Sequence, residues 1–199
     1  MRVPQAGATL PARSRGRAAE TSAARLAMRL FLASLGMLFA AGMIGYLVIR
    51  LRAPEWPPPG SPGLPAGLWL STGLVLATSA TMLLAERAAR RGRQRALGGW
   101  LVCALLLTLG FLGAQVLNWM QVAAAAIFPQ ESLAAFGFFV LTFLHALHVL
   151  GGLAPLIIVT LRARDGVYAG AGREGLHHVG MYWHFLAVTW IAIFGVLSF

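Results

Sequence analysis

The chain has no lysine, one cysteine and only six acidic residues among its 199. Each scarcity excludes something. With Cys103 alone, no internal disulfide can form. Charged residues make up 11% of the chain, against roughly 25% in soluble domains. Hydrophobic residues reach 58% and the mean hydropathy is +0.73, so the chain belongs in a bilayer. The net charge of +10 is carried by arginine alone. It does not mark a nucleic-acid surface, because the aromatic residues sit in apolar runs and are not interleaved with the arginines. No nucleic-acid partner is expected. The acids Glu20, Glu55, Glu86, Glu131, Asp165 and Glu174 all fall in the tail, in connections or at the ends of apolar runs. A bundle-type di-metal site needs carboxylates in a Glu-x-x-His pattern, and no span centre supplies one. No internal repeat is visible, which disfavours an inverted-repeat transporter.

Five apolar runs are present, each near the ~20 residues needed to cross a bilayer. They cover about 30–49, 64–84, 97–119, 133–161 and 179–199. The fold expected is all-α, a polytopic bundle of five transmembrane helices. Residues 1–25, rich in Ala, Gly and Arg, read as a disordered basic tail. The proline-rich stretch 54–65 cannot be helical and must lie outside the hydrocarbon. Arginines alternate between the ends of the spans. Arg2, Arg13, Arg15, Arg17, Arg25 and Arg29 precede span one, Arg87, Arg90, Arg91, Arg93 and Arg95 join spans two and three, and Arg162, Arg164 and Arg173 join spans four and five. The other side has only Arg50 and Arg52. Positive-inside bias therefore predicts a cytoplasmic N-terminus and a C-terminus on the far side.

Span four carries the most informative residues. At roughly 100° per residue, Thr142, His145, His148 and Gly152 occupy about a third of the helix circumference. Polar side chains inside a bilayer face other helices, so this stripe is where helices meet. Two readings of the histidines are open. One is a metal or bis-His haem site drawing on His145, His148 and His184. The other is neutral histidines hydrogen-bonding between helices that approach over Gly151 and Gly152. Tyr182, Trp183 and His184 open span five, with Trp190 deeper. An aromatic pair at a span end reads as an interface belt, as do Trp69 and Trp119. Gln115 and Asn118 read as interhelical glue, and Gly110 with Ala114 as a small-x-x-x-small pair.

The residues resemble subunit III of the haem-copper terminal oxidases in its five-helix bacterial form. Leu141–Gly152 is similar to that family's T-G-x-H-x-x-H-V-x-x-G signature, and Tyr182–Trp190 to its Y-W-H-F-x-D-x-x-W. Phe31–Ser34 through Tyr46 and Arg50 resembles F-L-A-S-E followed by A-Y-x-x-x-R. Leu68–Gly73 resembles L-W-x-N-T. The likeness runs in order through all five spans, making 26–199 one subunit III-like domain. Two family carboxylates are replaced, by Leu35 and by Ala187, which leaves His184 without the acid expected one turn away. Phe143 stands in place of a usual glycine, where it is expected to hold helices apart.

The resemblance implies a subunit with no catalytic residue and no metal or cofactor of its own. It implies phospholipid in a cleft, haem and copper in a partner, and contact with the catalytic subunit and other oxidase subunits in the bacterial plasma membrane. Tyr46, Thr142, His145, His148, Gly152, Tyr182, Trp183, His184 and Trp190 are then the expected packing and lipid-cleft residues. Loss of the carboxylates also fits a subunit III-like accessory protein of a nitric oxide reductase. A stand-alone bis-His haem or metal protein is the reading from a different class.

Overall fold

The computed structural model describes residues 12–56, 63–125, 133–169 and 173–198. Part of the tail, most of the proline-rich connection and Phe199 lie outside the described residues. Those residues form five long helices, α1 (Ala12–Arg52), α2 (Gly67–Arg90), α3 (Gln94–Ala125), α4 (Leu133–Arg164) and α5 (Glu174–Ser198). A 3-10 turn at Val167–Ala169 precedes α5. All five helices are long and apolar enough to cross a membrane, as the apolar runs predict, and no strand occurs among the described residues.

Helix α1 begins at Ala12, within the stretch expected as a basic tail, of which residues 1–11 lie outside the described residues. Ala and Arg are strong helix formers, and a helix growing out of a formed span needs no new nucleus. At 1.5 Å per residue the 41 residues of α1 reach roughly 60 Å, about twice the ~30 Å hydrocarbon core.

Packing follows the burial pattern. Helices α2 and α3 form the most extensive contact, and α3 with α4, α4 with α5 and α5 with α2 close a ring of four. Helix α1 lies outside this ring against α4 and α5, and α5 is the most buried of the five. The inner face of α1 is Leu35, Phe39, Gly42 and Tyr46, spaced 4, 3 and 4 residues apart. Leu35, Phe39 and Tyr46 are buried, and the Gly42 backbone sits on Leu141. Isolated hydroxyls are satisfied within their own helices, Thr78 on Leu74, Thr108 on Ala104 and Thr160 on Leu156, as expected where no water competes.

The charged ends come together as the alternation requires. Arg25 of α1 pairs with Glu174 of α5 at 3.0 Å, and Glu86 of α2 lies 3.5 Å from His177 of α5. Tyr46, Trp56, Val122 and Leu197 line one cavity at the other end. Helix α2 ends in a Schellman turn. Arg93 N–H bonds Ala88 O at 2.9 Å and Gly92 N–H bonds Ala89 O at 3.2 Å, with Gly92 at φ +66°, a conformation that favours glycine.

Candidate functional site

Thr142, His145 and Gly152 of the α4 stripe are buried and His148 is half-buried, and the four face different neighbours. Thr142 is fully buried. It accepts a 3.0 Å hydrogen bond from Trp119 Nε1 of α3 and donates to its own Phe138 carbonyl at 2.7 Å. His145 is also fully buried, enclosed by Phe39 of α1, Phe111 of α3 and Trp190 of α5 at ring separations of 6.0, 5.7 and 5.0 Å. Neither of its ring nitrogens has a hydrogen-bond partner. His148 turns back on its own helix, Nδ1 lying 2.7 Å from the Leu144 carbonyl, and its ring meets Phe39 at 5.1 Å. Gly152 is where α4 and α5 approach. A Cβ there would sit 2.5 Å from the Tyr182 ring, which only glycine avoids. Pro155 follows inside α4 and removes the N–H that would have bonded the Gly151 carbonyl.

From α5, the Tyr182 hydroxyl donates to the His148 carbonyl at 2.8 Å and its ring stacks near Phe31 of α1 at 6.2 Å. His184 Nδ1 lies 2.7 Å from Ser79 Oγ of α2. Trp190 Nε1 donates to Thr72 Oγ1 at 3.0 Å, and its ring meets Phe111 edge-on. On α1, the Tyr46 ring packs onto the Gly137 backbone and meets Trp56 edge-on at 5.6 Å.

Two expectations are corrected. Tyr182 and Trp183 do not form an interface belt, since both are buried. Tyr182 bonds α4, and the Trp183 ring lies 3.4 Å from where a Gly152 Cβ would be, so packing against glycine outweighs the interfacial preference of the rings. Phe143 does not hold helices apart, because it is 58% exposed and only flanks Trp119 at 5.8 Å. With Ala187 in place of an acid, His184 is met instead by the Ser79 hydroxyl across the helix seam. Leu35 and Ala187 are both buried among apolar side chains.

A feature not singled out in the sequence is a polar ladder between α2 and α5. Thr72, Ser79 and Glu86 recur every seven residues on α2. They meet Trp190, His184 and His177 in turn on the antiparallel α5. A seven-residue repeat keeps one face toward a neighbouring helix, which was the available signal. Glu86 ends the ladder. Its side chain is 11% exposed, pairs with Arg90 at 3.2 Å and lies over the Gly180 backbone, where any Cβ would overlap it. On the α2–α3 side, Asn118 donates to Ser71 at 3.1 Å and to Gln115 at 3.3 Å, the amide glue expected there. Gly110 is not a close-approach point, a Cβ there meeting Leu74 only at 3.7 Å.

Two cavities flank the histidines. A polar one of about 360 Å³ at the arginine-rich end is lined by Arg25, Arg29, Glu86, Arg173, His177 and His178 among others. An apolar groove of about 450 Å³ runs between α1, α4 and α5 past Phe31, His148, Gly151, Pro155 and Tyr182. Among the described residues no three His, Cys, Asp or Glu side chains converge as a metal site. Aromatic rings fill the space around His145 that a porphyrin would need.

The fold and the site thus define a polytopic helical membrane protein whose polar side chains join its helices. Residues 14–199 match the family described as Cytochrome c oxidase subunit III. Similar proteins include cytochrome c oxidase subunit 3 of Synechocystis sp., 31% identical over 83% of this chain and 70% of that protein. Others are the probable cytochrome c oxidase subunit 3 of Nocardia farcinica, 28% identical over 82% and 81%, and that of Mycobacterium bovis, 31% identical over 82% and 81%. The chain belongs to the cytochrome c oxidase subunit III family.

Proposed function

We propose that this chain is the non-catalytic subunit III of a haem-copper respiratory oxidase of the cytochrome c oxidase type, serving aerobic electron transport in a bacterial plasma membrane. In this reading it packs against the haem- and copper-bearing catalytic subunit, stabilises it and holds phospholipid. The observation that carries the reading is the match over residues 14–199, combined with histidines used for packing. His145 is walled in by aromatic rings, and His148 and His184 spend their Nδ1 atoms on a carbonyl and a hydroxyl. The groove between α1, α4 and α5 has an apolar lining that suits an acyl chain, with His148, Gly152 and Tyr182 in its walls. Trp183 packs against Gly152 beside it, and Tyr46 lines the separate cavity at the other end. Positive-inside bias supports a cytoplasmic arginine-rich end, with the N-terminus inside and the C-terminus outside.

The test is deletion of the chain from its native host, followed by visible spectra and oxygen-consumption traces of the membranes. An accessory subunit leaves the partner's haem bands visible, while the oxidase loses activity faster during turnover and in detergent. Haem bands and oxidase half-life both unchanged by the deletion would contradict the proposal.

A further inference from the structure

We propose that the α2–α3 turn binds the phosphate headgroup of an anionic phospholipid between Arg87, Arg91 and Arg93. A cavity of about 310 Å³ lies at this turn, lined by the three arginines with Leu84, Ala96 and Trp100 as apolar walls. No acidic residue lines it. The cavity at the α1–α5 end is different, since there Arg25 and Arg90 are engaged by Glu174 and Glu86. Among the described residues none of the Arg87, Arg91 or Arg93 guanidinium groups has a hydrogen-bond or ion-pair partner.

Three positive charges are held together by the fold. Arg87 and Arg91 are four residues apart on one helical face, where like charges repel. The Schellman turn through Gly92 fixes Arg93 beside them. An anion relieves that repulsion. Guanidinium forks match phosphate oxygens bidentately, and basic pockets between transmembrane helices are suited to anionic headgroups.

Depth selects the source of the phosphate. The apolar run of α2 stops at Ala85 and that of α3 resumes at Leu97, so the arginines lie where headgroups lie. Trp100 and Leu84 are partly buried just below them, at the level of glycerol and the first methylenes. The site is built from α2 and α3, away from the α1–α4–α5 groove, and does not depend on a lipid binding there.

The experiment is native mass spectrometry of the full chain in detergent, titrated with phosphatidylglycerol, with phosphatidylcholine and with inorganic phosphate. The wild type is compared with the triple variant Arg87→Gln/Arg91→Gln/Arg93→Gln. A control, Arg13→Gln/Arg15→Gln/Arg17→Gln, removes the same charge elsewhere. The expected result is one retained phosphatidylglycerol, weakened on the order of a hundredfold by the triple change and unaffected by the control. It should resist excess inorganic phosphate, and phosphatidylcholine should not replace it. If the triple variant fails to fold, Arg91→Gln alone should weaken binding roughly fivefold. Equal retention by variant and wild type, equal binding of phosphatidylcholine, or displacement by inorganic phosphate would each overturn the proposal. So would loss of a neighbouring subunit from the variant's complex with its lipid content unchanged, which would assign the site to an acidic protein segment.

Discussion

The Tyr182 hydroxyl bonds the main-chain carbonyl of His148 at 2.8 Å, while its ring occupies the space beside Gly152. One side chain thus fixes both the distance and the rotation of α5 against α4. Tyr182→Phe keeps the ring and loses only the hydrogen bond, with an expected destabilisation of about 0.6 kcal/mol, typical of interhelical bonds in membranes. Gly152→Leu forces the helices apart, and about 1–3 kcal/mol is expected for such overpacking. Thermal unfolding in one detergent should rank wild type, Tyr182→Phe and Gly152→Leu in that order of decreasing stability.

His145 and His148 should respond differently to substitution. His145→Phe removes two buried nitrogens without partners, a burden of about 1–3 kcal/mol per unsatisfied group. It adds slight crowding among Phe39, Phe111 and Trp190 in return. The expected stability is within about 1 kcal/mol of wild type on either side. His148→Leu loses the ring contact with Phe39 and should weaken assembly by about 1–2 kcal/mol. A His145→Phe chain that cannot be recovered folded would show that the imidazole has a polar role.

The Ser79–His184 bond is the middle rung of the α2–α5 ladder. A double-mutant cycle with Ser79→Ala and His184→Phe should return a coupling of about 0.6–1.7 kcal/mol. A coupling indistinguishable from zero would remove the rung.

Glu86 rests on Gly180 at the arginine-rich end. Gly180→Ala displaces the carboxylate from the seam and is expected to lower stability by about 1–3 kcal/mol. Arg90→Ala removes an exposed partner and should cost about 0.5 kcal/mol or less. The two melting temperatures, measured side by side, check that the carboxylate's seat matters more than its ion pair.

Span number, span order and the clustering of arginines at one end are written in long-range patterns of hydropathy and charge, which is why they are legible without coordinates. The burial of Thr142, His145 and Gly152 is legible for a similar reason, since polar and small residues in a bilayer have few places to go. The partners were not. Ser79 and Thr72 look like ordinary hydroxyls in an apolar helix, where bonding to the preceding turn is common. Only the heptad shared by Thr72, Ser79 and Glu86 sets them apart, and that spacing has meaning once α5 is known to lie antiparallel beside α2. For Tyr182 and Trp183 the span-end position points to an interface and the resemblance to packing, and their burial is decided by Gly152 on another helix. The helical start at Ala12 is local propensity prevailing over low hydrophobicity.

The most direct test of the central claim is a mild-detergent pull-down of the tagged chain from its native membrane, with mass spectrometry and a visible spectrum of the eluate. An oxidase subunit III should bring down a large haem-bearing subunit, and the haem bands should survive in a His145→Phe, His148→Leu double variant because this chain does not ligate the iron. A chain that elutes alone would contradict the account. So would haem bands that vanish with those two histidines while the complex stays intact.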